Sequence, residues 1–442
     1  MKMKLATIAA ATMLPLAAAA QAGAGAIING VPWYDDRDSV VSAHGANIVA
    51  DGGRYYMFGE NKTDSANTFT GFSCYSSANL VDWKFERIAL KTQAGGRLGP
   101  GRVGERPKVM RCPKTGEYVM LMHSDDLRYK DPCVAYATSD SINGEYTFRG
   151  PLLYKGKPIR KWDIGSFVDD DGQAYLLVHH GYIYRLAPDF HSADSCLTAG
   201  VKGAGESPAM FKHDGTYYWL SSHTTSWERN DNMYHTSKSL SGPWQMQGPF
   251  CPEGSLTHNS QTTYVLPLTI EGRQVPMFMG DRWSFPKQHS AATYVWMPIT
   301  MENGRMSIPE LWQAWDPQTG RQADIGMRPV GRRWASDAVG DTMSVAFSGC
   351  RMGLKGTLGP DCGYALVRVT DGQGRTMQSQ TVDFYAKKAS TGLRFVSRRL
   401  PEGRYTLTVT VTGFRPNWTD KSKTVYGSRG TFVRIDDVVV MD

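Results

Sequence analysis

Five times along the chain a glycine-centred turn is followed by a short aromatic or aliphatic run. The runs read Asp51-Gly-Gly-Arg-Tyr-Tyr-Met-Phe, Lys114-Thr-Gly-Glu-Tyr-Val-Met-Leu, Asp171-Gly-Gln-Ala-Tyr-Leu-Leu-Val, Asp214-Gly-Thr-Tyr-Tyr-Trp-Leu-Ser and, more faintly, Glu271-Gly-Arg-Gln-Val-Pro-Met-Phe. Glycine supplies the positive φ that a tight hairpin turn demands, so each run reads as a turn feeding a strand. The turn glycines are Gly53, Gly116, Gly172, Gly215 and Gly272, with successive gaps of 63, 56, 43 and 57 residues, enough for one four-stranded unit each. A second pattern, an aromatic after a polar turn, recurs at Trp83, Tyr146 and Trp244. Five irregular repeats of this kind predict an all-β fold, a five-bladed β-propeller over roughly residues 28–325. The competing expectation is a β-sandwich with frequent Asp-Gly turns.

Beyond about Pro329 the texture changes. Tyr405, Leu407, Val409 and Val411 alternate with Thr406, Thr408 and Thr410, as a half-buried strand does, and Tyr364–Val369 and Phe432–Val440 behave alike. This predicts a C-terminal, jelly-roll-like β-sandwich. The expected division is a signal peptide at 1–22, a propeller domain at 23–328 and an accessory module at 329–442. The leader is read from Lys2 and Lys4, the apolar Leu5–Ala20 and the small residues around Ala22. An exported protein, periplasmic or extracellular, follows as an expectation. No later stretch is apolar enough for a membrane span.

The formal charge of +7 includes no dense basic run, which argues against a nucleic-acid partner. Seven cysteines leave at least one unpaired within the chain, and Cys350 and Cys362 are near enough in sequence for a bridge. Neither a Cys-x-x-Cys nor a His-x-x-x-His spacing occurs, so no metal site is expected, and no organic cofactor is implied.

Blades of a propeller converge on a central channel, and three acids stand ahead of successive hairpins. They are Glu105 in "GERPKVM", Asp163 in "KWDIGSF" and Glu206 in "GESPAMF"; the next comparable position, in "HNSQTTYV", carries Gln261. Convergent carboxylates repel, so one should keep its proton at neutral pH, as a general acid must. Glycoside hydrolysis uses such pairs. Trp162, Trp227, Trp283 and Trp296 could stack on sugar faces, although tryptophan is as often a core residue.

The order Glu105-Arg-Pro-Lys-Val, Asp163, Glu206-Ser-Pro-Ala-Met-Phe, Asn259-Ser-Gln261-Thr-Thr and Gly280-Asp-Arg-Trp283 resembles glycoside hydrolase family 43, in particular its exo-β-1,3-galactanase branch, from about Ala43 to Trp296. The resemblance implies Glu206 as general acid, Asp163 as the group that raises its pKa and orients it, and Glu105 as a sugar-binding carboxylate. Glu60 and Tyr129 join it as further sugar-contacting positions, and Trp227 and Trp283, from the stacking candidates above, are expected to bind substrate with them. Most of the wider family opens its first blade with an Asp base, whereas this chain has Ala43-His44-Gly45. By the same resemblance the base is Gln261, through its imidic acid form. An amide that only positions water or substrate is the alternative, and His44 is another candidate. The implied function is an inverting exo-glycosidase releasing galactose from β-1,3-galactan, with a polysaccharide or oligosaccharide as its partner. The alternatives are an α-L-arabinofuranosidase or β-galactofuranosidase of the same family and a catalytically silent sugar-binding propeller.

Overall fold

The computed structural model describes residues 25–420 and 422–441, so the leader expected at 1–22 lies outside the described residues. Among the described residues helix amounts to four single turns, and strands make up the rest of the regular structure. All five turn glycines have positive φ, between 65° at Gly215 and 82° at Gly172, and each joins the first two strands of a sheet.

The sheets follow the sequence in order. The first contains His44–Asp51, Arg54–Glu60, Phe72–Ser77 and Lys84–Leu90; the second contains Arg102–Arg111, Tyr118–Asp126, Cys133–Ser139 and Thr147–Pro151. The fourth is also four-stranded, Glu206–His213, Thr216–Ser222, Met233–Ser237 and Gln245–Pro249. The other two depart from four strands apiece. The third builds on Ile164–Val168, Ala174–Val178, Tyr182–Leu186 and Ser192–Ala199, and gains the two-residue strands Leu153–Tyr154 and Lys157–Pro158 at its edge. The fifth has only Gln261–Ile270, Arg273–Arg282 and Thr293–Pro298.

Strand periodicity explains how the sheets pack. Successive side chains point to opposite faces. Met120 and Met122 therefore join Phe58 and Phe72 in the core between the first two sheets, while Val119 and Leu121 join Leu176 and Val178 in the core between the second and third. Leu177 turns the other way, onto Trp219 of the fourth. Such double-sided burial is why the runs read as almost continuously apolar. The first strands of consecutive sheets lie side by side, and that of the fifth lies against that of the first.

Close approach of these strands needs glycine. A Cβ on Gly165 would sit 2.1 Å from the Pro208 carbonyl oxygen, and one on Gly205 would sit 1.8 Å from that of Ser222.

From Arg328 onward two further sheets share one core. Val433–Met441, Arg351–Leu358 and Ser390–Val396 lie in one; Thr342–Gly349, Gly403–Val411, Tyr364–Asp371 and Thr376–Asp383 form the other. Leu354, Val367, Leu407, Val409 and Val438 fill the space between them, and the expected burial of Tyr405, Leu407, Val409 and Val411 is met. Leu393, Val396 and Val439 also pack on Ile28, Val31 and Ala314 from the other part of the chain. All seven cysteines are free thiols. Cys350 and Cys362 are not bridged: the Cys362 sulfur lies 2.7 Å from Arg434 Nη1 instead.

Gly165→Ala should lose about 1–3 kcal/mol of stability through overpacking. Gly95→Ala should be nearly neutral, because a Cβ there meets nothing within 4 Å. Urea denaturation midpoints at constant slope check the difference.

Candidate active site

The site is assembled from one backbone irregularity used several times. Strand register shifts between His44 and Asn47, between Glu105 and Lys108, between Glu206 and Ala209, and between Thr262 and Tyr264. At the first three, the residue after the named side chain is left-handed: Gly45 at φ 61°, Arg106 at 50° and Ser207 at 57°. A bulge of this kind re-aims side chains that strict alternation would send to the other face. Gln261 is entered through four consecutive left-handed residues, Leu256 to Asn259, with φ of 52–58°. That conformation costs roughly 1–2 kcal/mol per non-glycine residue. It is held by the Asp231 carboxylate, which accepts from the Gly254 and Leu256 amides, and by Arg229, which donates to Asn259 Oδ1.

Arg106, 5% exposed, is the centre of the arrangement. Its Nε is 3.1 Å from Asp163 Oδ2, and its Nη2 donates to Ser207 Oγ at 2.6 Å and to Gln261 Oε1 at 2.9 Å. Its backbone N–H donates to Glu60 Oε1 at 3.0 Å. One residue of the second sheet thus touches groups from the other four.

Glu206 is buried beside Asp163. Burial, and then the Asp163 charge, push its pKa well above 4.5, against the opposing pull of Arg106, the Thr225 backbone and Gln261. Asp163 Oδ2 accepts from the Ser207 amide at 3.0 Å and from its hydroxyl at 3.1 Å. The residue directly after Glu206 therefore ties the two acids together.

Glu105 belongs to a second layer. Its Oε1 accepts from Tyr129 at 2.8 Å and from Asn67 at 2.6 Å, and its Oε2 faces His123 Nδ1 at 3.0 Å. The other His123 nitrogen is 3.2 Å from Asp125. Burial opposes a charge on His123, but the two carboxylates outweigh it and push its pKa up to about 9. Burial likewise opposes ionisation of Glu105, yet His123 and Lys62 hold its carboxyl below the usual range. Glu105, His123 and Asp163 each offer an atom within 4.8 Å of the others, a set that could hold a metal ion. Both His123 nitrogens already face carboxylates, Nδ1 toward Glu105 and Nε2 toward Asp125, so a metal there would have to displace one of these contacts and take a deprotonated ring nitrogen.

Glu60 is paired with Lys62, and burial nevertheless raises its pKa. Burial brings Lys108, whose ammonium donates to the Gly45 and Ala46 carbonyls, down to about 7. His44 Nδ1 is 3.0 Å from Asp281 Oδ1, and its Nε2 is buried with no hydrogen-bond partner.

The tryptophans divide. Trp283 is 2% exposed and spends its indole N–H on Gln261 Oε1 at 2.7 Å. Half-buried Trp227 meets it edge-on at 5.1 Å and stacks on Phe285 at 5.8 Å. Trp162 lies on His179, next to Asp163 in sequence. Trp296, expected as a sugar platform, is fully buried among Trp33, Trp83 and Tyr294, so it is a core residue. The loops that carry Trp227 and Trp283 are braced from the C-terminal sheets. Tyr385 donates its hydroxyl to Glu228, Ser284 Oγ donates to Asp383 at 2.9 Å, and Tyr364 donates to the Ser284 carbonyl at 3.0 Å.

The acids Glu60, Glu105, Asp163 and Glu206 thus come together with Gln261, Tyr129 and Trp283. Arg106, Ser207, Lys62, His123, Ser222 and Asp281 belong with them and were not singled out from the sequence. For two of these the signal was present, since Arg106 and Ser207 directly follow Glu105 and Glu206 in the motifs that carry the acids.

Replacing Arg106 with Met should cost about 3–5 kcal/mol, the range for removing one partner from buried charges, because Asp163 is left without its cation. Urea denaturation of Arg106→Met beside the parent protein measures this directly.

A sequence model of the glycosyl hydrolases family 43 matches residues 41–263. A candidate exo-β-1,3-galactanase from Bifidobacterium bifidum s17 is 33% identical, with 64% of this chain and 96% of that one covered and a TM-score of 0.60. The exo-β-1,3-galactanase of Phanerochaete chrysosporium, solved with β-1,3-galactotriose, is 25% identical over 94% of this chain and 99% of its own, with a TM-score of 0.70. A family 43 β-1,3-galactosidase solved with galactodeoxynojirimycin is 29% identical over 66% of this chain and 100% of its own, with a TM-score of 0.59. No curated protein matches the chain.

Proposed function

The chain belongs to glycosyl hydrolases family 43 and is a glycoside hydrolase, and from that premise we propose an exported, inverting, exo-acting enzyme that releases galactose from β-1,3-galactan, the backbone of arabinogalactan. The observation that carries this reading is Glu206, a carboxyl that burial and Asp163 together drive to keep its proton. A carboxylic acid ready to donate at neutral pH is what departure of a sugar alkoxide requires. The choice of galactose draws on the neighbours solved with β-1,3-galactotriose and galactodeoxynojirimycin.

In this reading the five successive sheets are the blades of a propeller occupying 23–328, and 329–442 is an accessory module that braces its loops. The glycosidic C–O bond breaks, its electron pair stays with the leaving oxygen, and that oxygen takes the proton of Glu206. A water oxygen bonds to the anomeric carbon from the opposite face, and its surplus proton passes to a second water molecule on that side. Asp163 lies beside Glu206, paired with Arg106 and accepting both hydrogen bonds of Ser207. Glu105, with Tyr129 at one oxygen and His123 at the other, accepts sugar hydroxyls, and Glu60 and Trp227 complete the pocket.

Glu206→Gln should lower galactose release from β-1,3-galactan by roughly 10²–10⁴-fold, the usual share of a general acid. In the parent enzyme the alkaline limb of kcat/KM should lie well above pH 4.5, because activity needs the protonated form and is lost as pH rises through the raised pKa. Product analysis with arabinan and aryl arabinofuranosides alongside decides the sugar. Release from the arabinosides alone would contradict the galactanase reading.

A further inference from the structure

Arg282 stands between Asp281 and Trp283 in sequence, but it lines the seam between the fifth sheet and the C-terminal sheets. We propose that this seam holds a binding site for one small monovalent anion of halide size, built from Arg282 on one side and Arg394 on the other. The site lies apart from the acids and does not depend on the reaction assigned above.

Gly30, Arg282, Thr293, Asp383, Tyr385 and Arg394 border a small cavity in the seam. Arg394 and Thr293 are each 6% exposed. Arg394 Nε donates to the Gly356 carbonyl at 3.1 Å, and among the described residues neither Nη group has a hydrogen-bond partner or an acid within ion-pair distance. Thr293 Oγ1 is likewise buried without a partner. Buried polar groups are nearly always satisfied, by protein or by something bound, and a guanidinium has five N–H donors to place. Four donors of Arg394 and the Thr293 hydroxyl are thus available to a single acceptor in the space they line.

Charge points the same way. Arg282 donates to the Asn259 carbonyl at 3.1 Å and the His258 carbonyl at 3.0 Å, and it reaches the Gly30 carbonyl at 3.5 Å, all neutral acceptors. Asp383 is the one carboxylate among the lining residues, and it is engaged by the Tyr385 amide at 2.8 Å and the Ser284 hydroxyl at 2.9 Å. Two guanidiniums against one carboxylate leave the lining with one positive charge in excess. Burial, then repulsion from Arg394 and Arg229, holds Arg282 well below its ordinary pKa, and burial brings Arg394 down to about 10 against the pull of Asp436. A buried charge needs a partner, and one anion supplies it to both arginines.

Size selects the anion. About 10 Å³ of the cavity is open to the centre of a water-sized sphere, which is room for one such particle and excludes a sulfate or phosphate with four oxygens. A water molecule accepts two hydrogen bonds and brings no charge, whereas a chloride accepts from every donor around it. The site also bears on the sugar pocket, because His258 and Asn259, whose carbonyls Arg282 holds, end the left-handed run that leads into Gln261. An anion shared by Arg282 and Arg394 fastens the C-terminal sheets to that run.

The test combines diffraction with melting. Crystals of the protein grown without halide and soaked in sodium bromide should show an anomalous peak between the guanidiniums of Arg282 and Arg394. In solution, the parent and Arg394→Met are melted in sodium gluconate as chloride replaces gluconate at constant ionic strength. The parent's melting temperature should rise by about 2 °C or more at a hundredfold excess over the dissociation constant and then climb only slowly, while that of Arg394→Met should not respond. If Arg394→Met does not fold, Arg394→Lys, which keeps the charge but loses the fork of donors, should show a weaker response than the parent.

A seam without an anomalous peak would overturn the site and leave a water there. A peak accompanied by a flat chloride titration would mark bromide held at soak concentration only and would also overturn it. So would a chloride response as large in the Arg394 variant as in the parent, because the anion would then act elsewhere.

Discussion

A buried guanidinium organises the first part of the chain. Arg106 binds Asp163, Ser207 and Gln261 through its side chain and Glu60 through its backbone, so groups from the other four sheets meet on one residue. Taking charges out of water is expensive, and such a group persists only when its partners satisfy it in detail. The left-handed backbone at Arg106 and Ser207 and the glycines at the strand contacts follow from that requirement, because these side chains meet only if the first strands bulge and approach closely.

The chemistry follows from how this cation is shared. Asp163 faces Arg106 and both donors of Ser207, whereas Glu206 is left with the Thr225 backbone and a long hydrogen bond from Gln261. Two acids beside one arginine thus receive unequal support, and it is Glu206 whose pKa is driven up. Farther out, the His123 pair with Glu105 holds a third carboxyl below its usual range. The loops that close the pocket do not stand alone, since Glu228 and Ser284 lean on Tyr385, Asp383 and Tyr364 of the C-terminal sheets.

Much of this was legible in the sequence, for identifiable reasons. Gly53, Gly116, Gly172, Gly215 and Gly272 announced their turns because positive φ is a local demand. Glu105, Asp163 and Glu206 stood out as single acids in weakly charged runs ahead of each hairpin. Sheet size was less legible: Leu153–Tyr154 and Lys157–Pro158 are too short to carry a period, and nothing in Gln261–Pro298 signals the missing fourth strand. Arg106 and Ser207 stood in the same motifs, but the bulges concealed their place in the site, since regular alternation would turn them away from the acids. His123 and Lys62 were hidden because they reach the site from within or beyond the second strands, outside the repeated motif. Trp296 shows the opposite error, in that a large aromatic looks the same in sequence whether it faces a sugar or a core.

The account depends on Glu206 holding a proton at neutral pH inside this network. Isotope-edited infrared difference spectroscopy of the parent protein against Glu206→Gln at pH 7 reads that directly. A protonated-carboxyl C=O band present in the parent and absent from the variant is the predicted result. A carboxylate band that titrates near the ordinary glutamate value of 4.5 would contradict the assignment of Glu206 as the acid.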